Sequence, residues 1–291
     1  MLIVVNKFGQ LANRLFMFSH FIASAVEYKY KLAYLGFQDY QHLFEGTKES
    51  NFEGMEIRLS TTPYPWLDSF IQNTSRVWFR LLGIHRDNFL YRLYDDGDKG
   101  ADENFNLSKP SFVNDVKNRT VLLYGWLFRD KPTVEKHIDI IRKVFKPVEP
   151  HYSNVINHIK KSRIDTDILV GVHIRKGDYA KWKGGKYFYE NEVYAKAMRS
   201  VKEQLPQDKR ITFLVCSNEP INMADFEGLT IVTATNQFIE DLYELSLCDY
   251  IVGTLSTYSL WASFYGGVPL CHILDKQQPI KLADFKVVTD G

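Results

Sequence analysis

Apolar and polar positions along this chain change spacing from strand-like to helical and back again. Residues 2–5 form a short, β-branched apolar run of the kind buried on both faces of a sheet, and Gly9 closes it with a turn. Leu11, Leu15, Phe18, Ile22, Ala25 and Val26 then recur at helical spacing, predicting a helix over 11–28, and 31–35 reads as the next strand. This is a βαβ opening. Residues 37–117 are rich in aromatics and turn formers without a sustained period, and are expected to form short helices and long loops. Pattern returns with a strand over 120–124 and a helix over 133–145; Pro147 and Pro150 then suit a linker. The boundary is placed near Glu149, giving domains 1–149 and 150–291.

Beyond it, helices are expected over 152–161, 190–203 and 239–247 and from Ser256 onward. Strands are expected over 168–174, 211–216, 230–233, 250–253 and 270–273. Strands alternating with helices imply a parallel sheet covered on both faces. In such sheets ligands bind beyond the carboxyl ends of the strands, so residues just after each strand are the first candidates.

Composition narrows the class of ligand. With 36 Lys and Arg against 35 Asp and Glu, the chain has no global basic field for nucleic acid or an anionic membrane, so any anion must be held by a local cluster. Cys216, Cys248 and Cys271 lack metal-ligand spacing and read as buried thiols of a reducing compartment. Asn6 and Lys7 interrupt the first apolar run, which no basic segment precedes, so neither a signal peptide nor a membrane anchor is expected. A cytoplasmic enzyme follows, with the sequons at Asn73, Asn106 and Asn118 as chance matches.

Three strand ends carry candidate chemistry. The first is His173-Ile174-Arg175-Lys176-Gly177-Asp178-Tyr179. Arg175 offers a bidentate grip on phosphate oxygens, Gly177 permits close backbone approach, and Asp178 can orient the guanidinium or accept a proton. The same residues also read as a charged surface turn. The second is the loop 7–14, where Gly9 allows a tight turn and Asn13 and Arg14 lie in a first helical turn, whose free amides favour an anion. It lacks the G-x-G-x-x-G spacing of a dinucleotide site, and a plain strand-to-helix turn accounts for it equally. The third is 253–259, where Ser256, Thr257, Tyr258 and Ser259 combine hydroxyls with helix N-terminal amides as a neutral phosphate cradle; ordinary N-capping is the alternative. Asn218, after another strand, is either an Asx-type turn or a base or ribose contact, and Glu240 and Asp241 can be first-turn helix charges. Two D-x-D patterns suggest divalent-cation sites, but Asp165 and Asp167 precede a strand, the wrong end for a ligand, and Asp96 and Asp98 lie in an acidic loop that reads as a solvated turn.

The segment HIRKGDY resembles the H-x-R-R-G-D-Y motif of the α1,2-fucosyltransferases of glycosyltransferase family 11, shared more loosely with protein O-fucosyltransferases and α1,6-fucosyltransferases. Two further likenesses follow the family's order. GQLANRLF resembles its G-G-L-G-N-Q-x-F loop, and residues 240–261 resemble its D-(L/F)-x-x-M-x-x-C block followed by S-x-x-S-W. Departures are Ala12 for Gly, Arg14 for Gln, Lys176 for Arg, and TLSTYSLW where SNSTFSWW is usual.

The resemblance implies an α/β fold of GT-B type, two Rossmann-like lobes with a nucleotide-binding cleft between them: an N-terminal acceptor-side lobe and a C-terminal GDP-sugar lobe. It implies inverting transfer of fucose from GDP-fucose to a glycan hydroxyl, α1,2 to galactose, in bacterial surface-polysaccharide synthesis, with peripheral contact with the inner membrane as a further expectation. Arg175 would neutralise the departing diphosphate in place of a metal, and no metal cofactor is expected. Gly9, Asn13, Arg14, Asn218, Asp241, Ser256, Thr257, Tyr258 and Ser259 would bind the donor, while Asp178 and His173 remain alternatives for the general base. Two other readings stand beside it: a GT-B transferase using another nucleotide sugar, and a non-catalytic glycan-binding protein presenting Tyr64, Trp66, Phe70, Trp78 and Phe79.

Overall fold

The computed structural model describes residues 1–49, 51–61, 64–82, 91–95, 104–235 and 237–289, which divide into two units, Met1–Val148 and Glu149–Thr289. In the first, the opening apolar run forms β1 (Leu2–Val4), followed by α1 (Leu11–Tyr28), β2 (Leu32–Tyr34), a 3-10 segment Leu35–Leu43 and α2 (Glu45–Lys48). Then come β3 (Ile57–Arg58), α3 (Pro65–Leu82), β4 (Tyr91–Asp95), β5 (Phe105–Asn106) and α4 (Pro110–Asn118). The unit closes with β6 (Thr120–Tyr124), β7 (Phe128–Arg129), α5 (Lys131–Lys136) and α6 (Ile138–Val144).

The main sheet of this unit is parallel, in the order β3-β2-β1-β6-β4. α1 is buried along most of its first four turns because an aromatic cluster covers it: Phe18 lies 5.0 Å from Phe37, 5.1 Å from Tyr34 and 5.7 Å from Phe145 between ring centroids. The chain order reverses between β1 and β6, and there the buried Asn6 donates to the Gly125 carbonyl at 3.0 Å.

Two differences from the sequence-based expectation fall in this unit. The supposed loop region contains α3, 18 residues long, and the sheet strand β4. Leu67, Phe70, Ile71, Val77, Trp78 and Leu81 do recur at helical spacing, while Trp66 and Phe70 lie exposed. The single helix expected over 133–145 is two helices, broken at His137, whose Nε2 pairs with Glu27 at 2.7 Å.

The second unit contains α7 (His151–Ser162), β8 (Ile168–Ile174), α8 (Asn191–Gln204), β9 (Ile211–Ser217) and β10 (Ile231–Thr233). It continues with α9 (Phe238–Leu245), β11 (Tyr250–Thr254), α10 (Thr257–Gly266) and β12 (Leu270–Ile273). Every strand pairs parallel, in the order β10-β9-β8-β11-β12. Counting strands in sequence within the unit, this is the doubly wound order 3-2-1-4-5, with its reversal between β8 and β11. Ligands of such sheets bind at that point. β8 and β11 approach closely because residue 253 is glycine: a Cβ there would lie 2.5 Å from the His173 carbonyl oxygen.

α9 is fixed behind this edge by a polar ladder from α7. His151, Asn154 and His158 lie on one helical face. His151 Nδ1 and Asn154 Nδ2 meet Glu240 Oε1 at 2.8 and 2.9 Å, and His158 Nδ1 meets Glu244 Oε1 at 2.9 Å. Burial opposes ionisation of Glu240, but hydrogen bonds from Asn154, His151 and Thr235 outweigh it and hold its carboxyl below the ordinary value. Glu244 is wholly buried, its Oε2 lacks a partner among the described residues, and burial with the fields of Asp241 and Glu240 pushes its carboxyl up to about 8.

A stability consequence follows from Glu244. In the unfolded chain it ionises near the ordinary Glu range, while in the fold it keeps its proton up to about 8. Folding therefore takes up a proton between those values, and stability falls as pH rises through that window. Glu244→Gln preserves a hydrogen-bonding partner for His158 and removes the titration. Thermal unfolding is expected to show little difference from the parent near pH 5 and a higher midpoint for the variant at pH 8, by roughly 3–6 °C. An equal shift at both pH values would refute the account.

Candidate active site

Arg175 follows directly from β8, and its Nε and Nη2 both reach Asp178 Oδ1 at 3.0 Å. Asp178 lies in a 3-10 turn, Gly177–Ala180, which Gly177 enters at φ +58°, the left-handed region natural to glycine. Asn218, after β9, accepts from the Lys176 amide through Oδ1 at 2.7 Å. Lys176 Nζ faces Glu190 at 3.7 Å. On the other side of the turn the guanidinium lies 5.8 Å from the Tyr179 ring centroid, and the Tyr179 hydroxyl donates to the Leu255 carbonyl at 2.8 Å. The turn carrying Arg175 is thus tied to the strand ends on both of its flanks.

His173 is buried, and its ring stacks on Tyr258 with centroids 4.9 Å apart. Burial, then the positive field of Arg175 and the nearby His272, bring its pKa down to about 3, so the imidazole is neutral at physiological pH. Its Nδ1 has no partner among the described residues. The Tyr258 hydroxyl donates to the Phe238 carbonyl at 2.5 Å, linking the first turn of α10 to that of α9.

At the start of α10, Ser256 caps the helix by accepting from the Tyr258 amide at 3.2 Å. Ser259 Oγ lies 3.1 Å from the Ser256 carbonyl and 3.0 Å from His272 Nε2. The capping arrangement is formed, and it aims the helix N-terminus and its dipole at the reversal point between β8 and β11. Thr257 occupies the first helical position. Asp241 is buried on α9, where its Oδ1 accepts from Thr235 Oγ1 at 3.2 Å.

His173, Arg175, Asp178, Asn218, Asp241 and Ser256 to Ser259 therefore share the carboxyl edge of one sheet. Gly9, Asn13 and Arg14 belong to the first unit, at the end of β1. Gly9 has φ +62°, and a Cβ there would meet the Asn13 side chain. Arg14 is buried against its own unit: Nε donates to the Gly9 carbonyl at 3.2 Å, and Nη1 to the Gly36 carbonyl and Asp39 Oδ2, both at 2.8 Å. Hydrogen bonds from Arg14 and then Lys7 hold the Asp39 carboxyl below its ordinary value.

Asp165 and Asp167 are partners of Arg210, whose hydrogen bonds lower Asp167 to about 2, and they form a structural clasp before β8. Asp96 and Asp98 lie outside the described residues. Among the described residues no three His, Cys, Asp or Glu side chains converge as metal ligands. The three cysteines are free and buried. No helix among the described residues is long and apolar enough to cross a membrane. Two features carry roles that the motif pattern does not announce: Tyr179, which braces the turn against Leu255, and Gly253, which sets the strand separation.

Comparison with solved structures identifies the fold. A mutant of Arabidopsis thaliana FUT1 in complex with GDP matches all of this chain over 75% of its own length, at 15% identity and TM-score 0.63. The fucosyltransferase NodZ from Bradyrhizobium matches 96% of this chain over 96% of its own, at 12% identity and TM-score 0.57. NodZ α1,6-fucosyltransferase co-crystallised with GDP gives 92% and 93% coverage at 11% identity and TM-score 0.56. These likenesses establish the GT-B-type fold. The family model described as glycosyl transferase family 11 matches residues 133–282, and the chain belongs to that family: it is a glycosyltransferase. No curated protein matches it by sequence.

Asn218→Ala would release the Lys176 amide without disturbing the core. It is expected to keep the parent's thermal midpoint and lower kcat/KM roughly threefold to tenfold, the worth of one positioning hydrogen bond. Steady-state kinetics check this, and an unchanged kcat/KM would show that Asn218 does not position Arg175.

Proposed function

We propose that this chain transfers fucose from GDP-fucose to a glycan hydroxyl with inversion at the sugar carbon, forming an α1,2 linkage to galactose in surface-polysaccharide synthesis. The observation that carries the reading is the Arg175–Asp178 pair at the reversal point of a 3-2-1-4-5 sheet, beside the Ser256-capped start of α10. Both lie within the family match, and the FUT1 and NodZ structures that share the fold hold GDP.

In the proposed reaction the bond between the sugar carbon and the β-phosphate oxygen breaks, and its electron pair stays on that oxygen. Arg175 and the α10 amides stabilise the growing charge without reorganising, because Asp178 and Tyr179 already hold the guanidinium. The acceptor hydroxyl attacks the opposite face and gives its proton to Asp178. Oδ1 of that carboxylate serves Arg175, while Oδ2 has no partner among the described residues. His173 is the weaker choice of base because its imidazole is buried and packed against the Tyr258 ring, whereas the Asp178 carboxylate is exposed. Its role is to pack against Tyr258 and stay uncharged. The second unit binds the donor, with Asp241, Asn218 and the hydroxyls from Ser256 to Ser259 as its polar contacts, and Gly9, Asn13 and Arg14 of the first unit are donor-binding residues as well. No divalent cation takes part.

Arg175→Ala is expected to fold normally and lose about 2.7–4 kcal/mol of transition-state stabilisation, a factor of about 100 to 1,000 in kcat, with transfer by the parent unaffected by chelator. Near-normal turnover in that variant would remove the mechanism, and calorimetric titration showing no binding of GDP would remove the donor assignment. Asp178→Asn keeps an acceptor for Arg175 but not a base. It is expected to lower kcat by about 100- to 10,000-fold while leaving the donor KM near the parent's. A large rise in donor KM with kcat preserved would instead make Asp178 a binding residue only.

A further inference from the structure

The segment after the Arg175 turn carries an excess of positive charge around the partly exposed Trp182, which packs on the buried Tyr179 and Tyr187. Lys181, Lys183 and Lys186 are exposed within six residues and form no ion pair among the described residues. The acids within the segment itself are engaged, Asp178 by Arg175 and Glu190 by Lys176. Against a net charge of +1 for the whole chain, three uncompensated cations in one loop form a local positive field.

The loop is shaped rather than slack. Lys183, Gly184 and Gly185 adopt φ of 47°, 66° and 76°, three consecutive left-handed residues, which costs the non-glycine Lys183 conformational energy. Trp182, 38% exposed, lies 4.8 Å from Tyr179 and 5.5 Å from Tyr187 between ring centroids. Lys183 Nζ lies over the Trp182 ring, 5.0 Å from its centroid, and Lys186 Nζ over the Tyr187 ring at 5.2 Å, so cations and rings are interleaved. Both ends of the ring series are tied to the carboxyl end of β11: Thr254 Oγ1 donates to the Tyr187 carbonyl and the Tyr179 hydroxyl to the Leu255 carbonyl, each at 2.8 Å. The Arg175 guanidinium lies over the same Tyr179 ring that Trp182 packs against.

We propose that this shelf of interleaved lysines and aromatic rings, residues 179–187, is the acceptor subsite and that the glycan it takes carries a negative charge, a sugar carboxylate or a phosphate ester. A partly exposed indole gives a sugar ring a flat apolar surface, and ammonium groups beside it reward an anion on the same saccharide. The position fits as well, since Trp182 stands one ring beyond the residue that braces Arg175. The inference rests on the reading of the site as a fucosyl donor site, and its test separates the two.

Calorimetry on the full chain with GDP present would compare three saccharides ending in galactose: a neutral disaccharide, its counterpart with a uronic acid in place of the second sugar, and the neutral disaccharide esterified with phosphate. At least one charged saccharide is expected to bind the parent about tenfold or more tighter than the neutral one, and which one identifies the anion. Lys181→Gln with Lys183→Gln is expected to abolish that preference while leaving the neutral disaccharide and GDP unaffected, with Lys→Arg at both positions retaining most of it. Raising NaCl from about 50 to about 300 mM should mimic the glutamine variant. Trp182→Ala should weaken all three. The proposal is overturned if the parent shows no preference, or if the glutamine variant weakens neutral and charged saccharides alike. Titration of the parent with GDP alone reports separately on the donor reading: no binding refutes that reading and leaves the saccharide comparison intact.

Discussion

The carboxyl edge of the second sheet depends on a histidine that stays uncharged. His173 lies where β8 and β11 are closest, beside Gly253, and a proton on it would place a buried charge next to the Arg175 guanidinium. Burial and that neighbouring cation keep it neutral, so its ring can stack on Tyr258, and Tyr258 in turn holds the start of α9 through Phe238. One packed series of groups joins the strand that delivers Arg175 to the two helices that border it. In return, the guanidinium is the cation of that edge held in a fixed geometry, which suits a group that must meet developing charge without moving.

The ladder between α7 and α9 shows the same logic applied to a helix. Glu240 and Glu244 sit four residues apart on α9, yet their ionisation is pushed in opposite directions. Glu240 gathers donors from His151, Asn154 and Thr235 and sheds its proton readily, whereas Glu244, fully enclosed and beside two carboxylates, keeps its own. A second buried anion there would stand uncompensated behind Asp241, so the retained proton on Glu244 is part of what lets Asp241 sit in the first turn of α9.

Much of this was legible in the sequence because the second unit is built from elements whose local and tertiary preferences agree. Its strands are continuous apolar runs, as expected for strands covered on both faces, and each motif sits just past one of them. The first unit was less legible where those preferences diverge. α3 leaves Trp66 and Phe70 exposed, so apolar character there does not report burial, and the break at His137 coincides with a contact to Glu27, 110 positions away in sequence. Arg14 illustrates the limit at the level of one side chain. Its place in a first helical turn suggested an anion contact, but Asp39 and the Gly36 carbonyl, brought close only by folding of the 3-10 segment, already engage it. Asp165 and Asp167, which precede β8, are both engaged by Arg210, the residue just before β9.

Charge is distributed along the Arg175 segment in a way that separates two kinds of recognition. Arg175 is oriented by Asp178 and braced by an aromatic ring, so its interaction with an anion is short, directional and little screened by salt. The lysines of the following loop are exposed on flexible stems and interact through a field that salt weakens. A diphosphate leaving group needs the first kind, because its charge grows at one oxygen during bond breaking, whereas an incoming glycan can use the second, because its charge need only be drawn near the shelf and not fixed to an atom. With Arg175 rigid and the lysines loose, the donor and the acceptor proposed for this site would make different demands on the same dozen residues and would not compete for the same cation.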